Sequence, residues 1–333
     1  MSKRVRRWVI GIVAVFVVLA ASGTFVWFNR PARGDPVEVV IERGATTTQV
    51  ARSLLEKDVI GTPFWFRVFA RLRGLDGKIQ AGRYDMYEGI GPQAALDILS
   101  KPPVERGTPI TIPPGFTLPQ VAARIGARTH ISAESFLAAA QSGEVRPSIL
   151  PADVKNLEGF LFPETYIVGE RDTAVDVARK MVREFEARTK DLDWSVPERR
   201  GLTRYDALII ASLVEREAKV ENDRPKIAAV VYNRLKRGMR LQIDITALYG
   251  LNDHKVPTLQ DLKRQSPYNT YLIDGLPPTP IASPGLPSLE AAVHPTYTTA
   301  IYYVVTDSSG KHSFTDDPQE FERLKARRPD EVH

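Results

Sequence analysis

An apolar segment that ends in two glutamates limits the fold of this chain more than any other feature. Seven of the eight residues 207–214 are apolar, and none is Gly or Pro, which predicts a helix buried on nearly all sides. Glu215 and Glu217 follow. At about 100° per residue they point to opposite sides, with Glu217 on the side of Ile210 and Val214. Either both are solvated at the helix end, or one is buried at a cost that pairing, hydrogen bonding or protonation must offset.

Positive charge is concentrated at the N-terminus. The formal charge is +5, but residues 1–34 hold six Lys/Arg and no acid, so the remainder has 39 basic against 40 acidic residues. The body therefore lacks the basic footprint of a nucleic-acid-binding protein. Cysteine is absent, which excludes disulfides, zinc–thiolate sites, a thiol nucleophile and a lipoprotein anchor.

An uncharged run of 21 residues, 8–28, is long enough to cross a bilayer as a helix. Four basic residues precede it, which predicts a cytoplasmic N-terminus and a body on the periplasmic side of the inner membrane. A cleaved signal peptide is the alternative, since the stretch Leu19-Ala-Ala-Ser22 offers small residues. Residues 24–28 stay apolar beyond that point, so we expect a retained single-span anchor.

A strand–turn–helix pattern occurs twice in the next part of the chain. Residues 37–41 have strand composition and lead into Gly44 and a helix that Thr46 caps. The pattern returns 71 residues later, and it resembles the opening of LysM-like modules. The paired positions are Ile41 with Ile112, Gly44 with Gly115, Thr46 with Thr117, Gln49 with Gln120, Val50 with Val121, Ala51 with Ala122 and Leu54 with Ile125.

Residues 130–200 have helical patterns with polar loops, interrupted by an aromatic turn at 157–166. Glu158 and Glu164 in that turn are expected at the surface or as turn caps. After Glu217, Asn222 or Asp223 is expected to cap a second helix that stops at Gly238. A proline-rich stretch at 275–285 follows, and residues 300–305 and 312–315 predict a hairpin before a helix at 318–327.

A set of short sequence motifs in this chain resembles the motifs of the endolytic murein transglycosylases of the MltG (YceG-like) family. They are Glu215-Arg-Glu217, Tyr232-Asn-Arg-Leu, Gly238-Met-Arg-Leu-Gln-Ile-Asp244, Pro267-Tyr-Asn-Thr-Tyr271, Gly275-Leu-Pro-Pro and Ile281-Ala-Ser-Pro-Gly285. The resemblance implies cleavage of the β-1,4 bond between N-acetylmuramic acid and N-acetylglucosamine in nascent strands, giving 1,6-anhydro ends. It assigns the catalytic acid to Glu217. Ala218 stands where the family pattern has Thr, so another group must orient the acid.

The motifs also supply the expected substrate groove, because aromatic faces with amides and hydroxyls suit sugar rings. The predicted contacts are Gln242, Asp244, Tyr268, Asn269, Thr270, Tyr271 and Ser283. Asp244 is the candidate if a second carboxylate exists, although capping of the turn that follows it is the simpler role. The histidines lack ligand spacing, so neither a metal nor another cofactor is expected. Penicillin-binding synthases are partners implied by the family alone.

Two other functions stay open at this point. A muramidase-type hydrolase would use Glu217 with Asp244, since hydrolysis needs a second carboxylate. A wall-binding scaffold of the division or elongation machinery would need no acid. The predicted class is α+β: anchor at 1–34, LysM-like module at 35–110, linking region at 111–200, and a catalytic domain of helices with a hairpin at 201–333.

Overall fold

The computed structural model describes residues 34–103, 107–251 and 257–327. Along these ranges, no helix is both long and apolar enough to cross a bilayer. The anchor predicted at residues 8–28 lies outside the described residues. The chain divides into two compact units, Met1–Arg106 and Gly107–His333, and each contains a hydrophobic core of its own.

In the first unit, two helices separate two strands that pair with each other. Strand β1 (Pro36–Ile41) runs antiparallel to β2 (Gly82–Tyr87), with Val39 opposite Tyr84. Helices α1 (Thr47–Glu56) and α2 (Pro63–Leu72) lie between them in sequence, and α3 (Gly91–Leu99) follows. The core is formed by buried side chains from every one of these elements, among them Val39, Val50, Leu54, Phe66, Tyr84, Met86 and Leu96. The LysM-like assignment of this unit stays a prediction.

The second unit contains two short antiparallel strand pairs and a set of helices. Strand β3 (Thr108–Thr111) pairs antiparallel with β4 (Thr165–Val168), and β5 (Tyr302–Val305) pairs with β6 (His312–Thr315). The helices are α4 (Leu118–Arg128), α5 (Ala133–Gln141), α6 (Ala174–Thr189), α7 (Ser195–Arg199), α8 (Arg204–Glu217), α9 (Arg224–Lys236), α10 (Asp244–Leu248), α11 (Leu259–Leu262), α12 (Leu286–Val293) and α13 (Pro318–Lys325). The predicted hairpin is confirmed, and the final helix ends two residues earlier than predicted.

The repeated strand–turn–helix pattern is confirmed in both units. Gly44 and Gly115 have φ angles of 78° and 79°, a conformation that a side chain would strain. The helix after each glycine begins with a capping box. In it, a Thr hydroxyl and a Gln side chain accept hydrogen bonds from two backbone N–H groups that have no acceptor within the helix. The pairs are Thr46 with Gln49 and Thr117 with Gln120.

The predicted boundary at residue 200 runs through a single hydrophobic core. Phe160 stacks on Tyr205 at a ring distance of 6.0 Å and meets Phe185 edge-on at 5.1 Å. Buried residues of α4, α6, α8 and α9 belong to the same cluster. Residues 111–200 thus do not form a separate linking region, and they form part of the wall against which α8 packs.

Helix α8 is the buried helix expected from its apolar sequence. Thr203 caps its start in a capping box with Asp206, and every residue from 207 to 214 is buried. Asp223 occupies the N-cap position of α9, as predicted, but its side chain makes no cap hydrogen bond. A 3-10 turn (Glu221–Asp223) joins the two helices, and this short connection holds the end of α8 beside α9.

Candidate active site

Glu217 lies at the C-terminal end of α8, where its carboxyl is partly buried. The Tyr303 hydroxyl of β5 donates a 3.0 Å hydrogen bond to Glu217 Oε2, and the backbone N–H of Ile245 also donates to this carboxyl. These donors provide the orientation that Ala218 cannot supply. Burial, and then the negative charge of Asp244, raise the pKa of Glu217 to about 7, while Tyr303, Arg216 and Ile245 oppose the rise. A carboxyl with this pKa can donate or accept a proton near neutrality.

A second carboxylate stands close enough to Glu217 to affect its ionisation. Asp244 is the first residue of α10, and Tyr271 donates a 2.5 Å hydrogen bond to its Oδ1. Ile243, and not Asp244, occupies the N-cap position of α10, so Asp244 is not the turn cap considered above. Burial raises the pKa of the Tyr271 and Tyr303 phenols, and the carboxylates they face raise it further. Each carboxyl group therefore has a phenol that remains a hydrogen-bond donor.

Glu215 points away from this pair, as the helical geometry predicts. Its Oε2 accepts hydrogen bonds from Gly285 N at 3.0 Å and from Ser288 Oγ at 2.8 Å, and it pairs with Arg224 at 3.4 Å. These partners lie at the start of α12 and of α9. Glu215 thus fastens the end of α8 to two neighbouring helices and has a structural role.

A buried arginine connects the hairpin to the segment that carries Asp244. Arg234 of α9 donates to Ile301 O and Leu241 O, each at 2.6 Å, and its guanidinium faces the Tyr302 ring at 5.5 Å. Its neighbour Asn233 donates to Thr298 O and Ala300 O in the segment that leads into β5. The Tyr-Asn-Arg-Leu motif therefore positions β5, and with it the Tyr303 phenol.

A buried acid–imidazole pair supports Tyr303 from the other side. Asp223 Oδ2 accepts from His312 N at 2.7 Å and lies 3.2 Å from His312 Nδ1. The His312 ring meets Tyr303 edge-on, with centroids 5.3 Å apart. Burial lowers the pKa of His312, so the imidazole is neutral at pH 7. The sequence suggested only a helix cap for Asp223. Its partner in the structure, His312, lies 89 residues further along the chain, so no local pattern could indicate the contact.

Three of the predicted substrate contacts are fully buried, and this corrects their role. Asn269 donates from Nδ2 to Leu262 O and Arg264 O, and Thr270 Oγ1 accepts from Ile243 N. Ser283 Oγ has no hydrogen-bond partner among the described residues, and its backbone pairs with Gly115 and Phe116. Because these side chains have no exposed surface, they shape the loop from within and cannot touch a glycan.

The remaining predicted contacts divide between two places. Gln242 is exposed beside Asp244, and its backbone has a φ of 49°, which is unusual for a residue other than Gly. Its N–H donates to Thr270 O at 3.1 Å. Tyr268 lies apart from this pair, because its ring packs on Tyr249 at 4.4 Å and its hydroxyl is 2.9 Å from Thr279 Oγ1. Of the predicted contacts, Asp244 and Tyr271 are the two whose charges or hydrogen bonds act at Glu217 among the described residues, and both are partly exposed.

Glu158 is a buried carboxyl, contrary to the surface role predicted for it. Its side chain accepts from Leu118 N at 2.9 Å and from the Tyr249 hydroxyl at 2.8 Å. Burial raises its pKa to about 7, against the hydrogen bonds from Leu118 and Tyr249. Tyr249 directly follows α10, so Glu158 anchors the far end of the helix whose first turn reaches Glu217. Glu164, by contrast, is exposed, as predicted, and it pairs with Arg188.

Comparisons with known proteins identify the family of the chain. The sequence model of the YceG-like family matches residues 39–327. The chain is 34% identical over 306 residues to the endolytic murein transglycosylase of Bacillus subtilis (strain 168), covering 87% of this chain and 84% of that protein. It is 28% identical to the endolytic murein transglycosylase of Streptococcus pneumoniae (strain ATCC BAA-255 / R6), covering 96% of this chain and 64% of that protein.

A solved structure shares the fold. The crystal structure of a yceG-like protein from Listeria monocytogenes superposes with a TM-score of 0.58 at 29% identity, over 87% of this chain and 98% of that chain. The family match extends through both units and includes every residue described at the Glu217 site. The chain therefore belongs to the YceG-like family.

Proposed function

We propose that this protein is an endolytic peptidoglycan lytic transglycosylase, which cleaves the β-1,4 bond between N-acetylmuramic acid and N-acetylglucosamine inside glycan strands. The observation that carries the proposal is Glu217, a partly buried carboxyl held by a phenol and a backbone N–H. Its pKa of about 7 leaves a large protonated fraction at neutral pH. The enzyme names of the Bacillus and Streptococcus relatives support the same activity.

The first step needs only this acid. Protonated Glu217 donates its proton to the glycosidic oxygen, the bond from that oxygen to C1 of the muramic acid breaks, and positive charge develops on the ring. The Tyr303 hydroxyl and the Ile245 N–H then stabilise the carboxylate that is left. Because both donors are in place before the reaction, they require no rearrangement as charge develops.

In the second step the Glu217 carboxylate acts as the base. It removes the proton from the C6 hydroxyl of the same sugar, and the C6 oxygen attacks C1. The new bond closes the 1,6-anhydro ring, and Glu217 is protonated again for the next cycle. The nucleophile comes from the substrate, so no second enzymatic carboxylate has to attack or to activate water.

Asp244 has an electrostatic role in this scheme. Its charge raises the pKa of Glu217 in the free enzyme and favours the positive charge on the sugar during bond cleavage. The Tyr271 phenol holds its carboxylate in place.

The position of Asp244 also favours a second candidate, a muramidase-type hydrolase. In that reaction Glu217 would be the acid, and Asp244 would serve as nucleophile or as base for water. The two reactions differ in their products, because hydrolysis adds a water and leaves a reducing end, whereas the lytic reaction leaves an anhydro end of lower mass.

Digestion of purified glycan strands, with mass analysis of the fragments, tests both proposals. We expect anhydro-ended fragments from the wild type and none above background from Glu217→Gln. Glu221→Gln is the matched control, because Glu221 is an exposed glutamate four residues along the chain. Reducing ends alone would establish the hydrolase, and undiminished anhydro products from Glu217→Gln would refute the role of this acid.

The remaining expectations concern location and partners. The apolar run at 8–28, with basic residues before it, supports a single-pass inner-membrane anchor and a body on the periplasmic side. The β-α-α-β order of the first unit supports a LysM-like module. Nascent strands as substrate would bring the enzyme close to penicillin-binding synthases, which we include as partners.

A further inference from the structure

Helix α2 carries an apolar face that the described residues of the first unit, 34–103, leave exposed. At about 100° per residue, Phe66 and Ala70 point into the core, where both are fully buried. The other side of the helix carries four neighbouring apolar residues: Phe64, Trp65, Val68 and Leu72. Leu72 is 77% exposed, Phe64 55% and Trp65 40%. A helix on the surface of a domain ordinarily has polar residues on its outer face, so this face calls for an apolar neighbour.

The exposed aromatic side chains are packed on each other. Trp65 stacks on Phe69 with ring centroids 5.8 Å apart and meets Phe64 edge-on at 5.3 Å. The rings therefore form one continuous apolar surface, which continues to Leu72 at the end of the helix. Large contiguous apolar surfaces of this kind mark interaction sites.

The charged residues of α2 flank this face on one side. Arg67 and Arg71 are both exposed, and the sequence of α2 contains no Asp or Glu. Arg73 follows at the C-cap and pairs with Asp97. An apolar face bordered by arginines suits the boundary between acyl chains and anionic headgroups, where long basic side chains extend to the phosphates. Trp also prefers this level of a membrane.

The chain length before the unit keeps such a surface within reach. The proposed anchor ends at Phe28, and β1 begins at Pro36. That connection spans at most about 30 Å when fully extended. The first unit is therefore held close to the outer surface of the membrane, and docking of α2 requires only that the unit turn this face towards the bilayer. Tethering of this kind makes even a weak surface contact effective.

We propose that the face of α2 formed by Phe64, Trp65, Val68 and Leu72 docks in the membrane–water interface, with Arg67 and Arg71 at the lipid phosphates. The inference rests on the proposed anchor. A glycan chain is a poorer match, because sugar sites combine aromatic faces with precisely placed polar groups, and this face contains neither hydroxyl nor amide side chains.

The absence of cysteine from the sequence allows a direct test. Val68→Cys gives the full chain a single attachment point for an environment-sensitive fluorophore in the centre of the face. The labelled protein is reconstituted into vesicles of phosphatidylethanolamine and phosphatidylglycerol, with and without lipids that carry a nitroxide near the headgroup. Gln319→Cys on α13, exposed in the other unit, is the matched label site.

We expect the label at position 68 to shift to shorter emission wavelengths and to lose fluorescence to the nitroxide lipids, whereas the label at position 319 does neither. Phe64→Ser with Leu72→Ser should abolish both effects, and circular dichroism should be unchanged because neither residue is in the core. Arg67→Ser with Arg71→Ser should weaken the quenching several-fold, and more so in vesicles with phosphatidylglycerol than in phosphatidylcholine alone.

Other results would overturn the proposal. In a flotation assay the anchored protein rises with the vesicles. If the protein floats but the label at position 68 stays exposed to water, the anchor holds while α2 remains in solution. A blue shift without lipid quenching would mean that another protein segment covers the face. Quenching that depends on protein density would indicate a second copy, and a shift seen only after addition of glycan strands would indicate sugar binding. Loss of flotation would instead contradict the anchor, and release of anhydro products tests the enzymatic proposal independently.

Discussion

The Tyr303 hydroxyl donates a 3.0 Å hydrogen bond to Glu217 across 86 positions of sequence. This contact joins the end of α8 to the C-terminal hairpin and supports the charged form of the acid. Asp244 has the opposite influence, because its negative charge favours the protonated form. The proton affinity of Glu217 is therefore set by two groups that can be removed one at a time.

Replacement of Tyr303 by Phe should raise the pKa of Glu217. The lost hydrogen bond stabilised the carboxylate, so the acid keeps its proton to a higher pH, by roughly one unit. We expect the alkaline limb of the pH–rate profile to shift to higher pH, and we expect the maximal rate to fall roughly 10-fold. Tyr302→Phe is the control, because that ring packs on Phe321. An unchanged alkaline limb would mean that another group is the acid.

Replacement of Asp244 by Asn should move the same limb in the opposite direction. Loss of the neighbouring negative charge makes Glu217 easier to ionise, so the alkaline limb shifts to lower pH. The rate should fall roughly 10- to 100-fold, with anhydro products retained. Asp274→Asn is the matched control, since Asp274 pairs with Arg240 in solvent. Complete loss of turnover with wild-type folding would favour the hydrolase.

Glu158 should make the protein more stable at acidic pH than at neutral pH. Its pKa is about 7 in the folded protein against 4.5 as the ordinary value. The stability gained from the protonated form is present in full below pH 4.5 and is lost as the pH rises through 7. Glu158→Gln should remove a pH dependence on the order of 3 kcal/mol between these limits.

Urea unfolding at a series of pH values measures this effect. The slope of unfolding free energy against pH should become shallower in Glu158→Gln, whereas the exposed Glu164→Gln should retain the wild-type slope. Identical slopes in both variants would show that Glu158 does not change its proton affinity on folding.

Lys should not substitute for Arg234, although it keeps the positive charge. Its guanidinium satisfies Ile301 O and Leu241 O from one planar group, whereas an ammonium has a single nitrogen to place. We expect Arg234→Lys to lower the unfolding free energy by about 2–3 kcal/mol and to reduce activity through displacement of Tyr303. Arg237→Lys is the control, because Arg237 is the exposed C-cap residue of the same helix, and it should stay near the wild type in both measurements.

Local patterns predicted the elements that carry the site. The apolar run at 207–214, the two Thr–Gln capping boxes and the terminal hairpin all depend on residues within a few positions of one another. The direction of Glu217 relative to Glu215 follows from helix geometry alone. The sequence by itself therefore determined which helix ends in the acid and which glutamate points away from it.

The tertiary structure decided what surrounds that acid. Tyr303, Asp244 and Tyr271 come from three separate segments, and their approach to Glu217 depends on packing that no local pattern encodes. The same holds for Glu158, buried against a tyrosine 91 positions away, and for Asn269 and Thr270, which resemble ligand-binding residues in sequence but satisfy backbone groups inside the loop. A polar side chain can bind a substrate or fill a buried hydrogen-bonding need, and only the burial of its surroundings distinguishes the two.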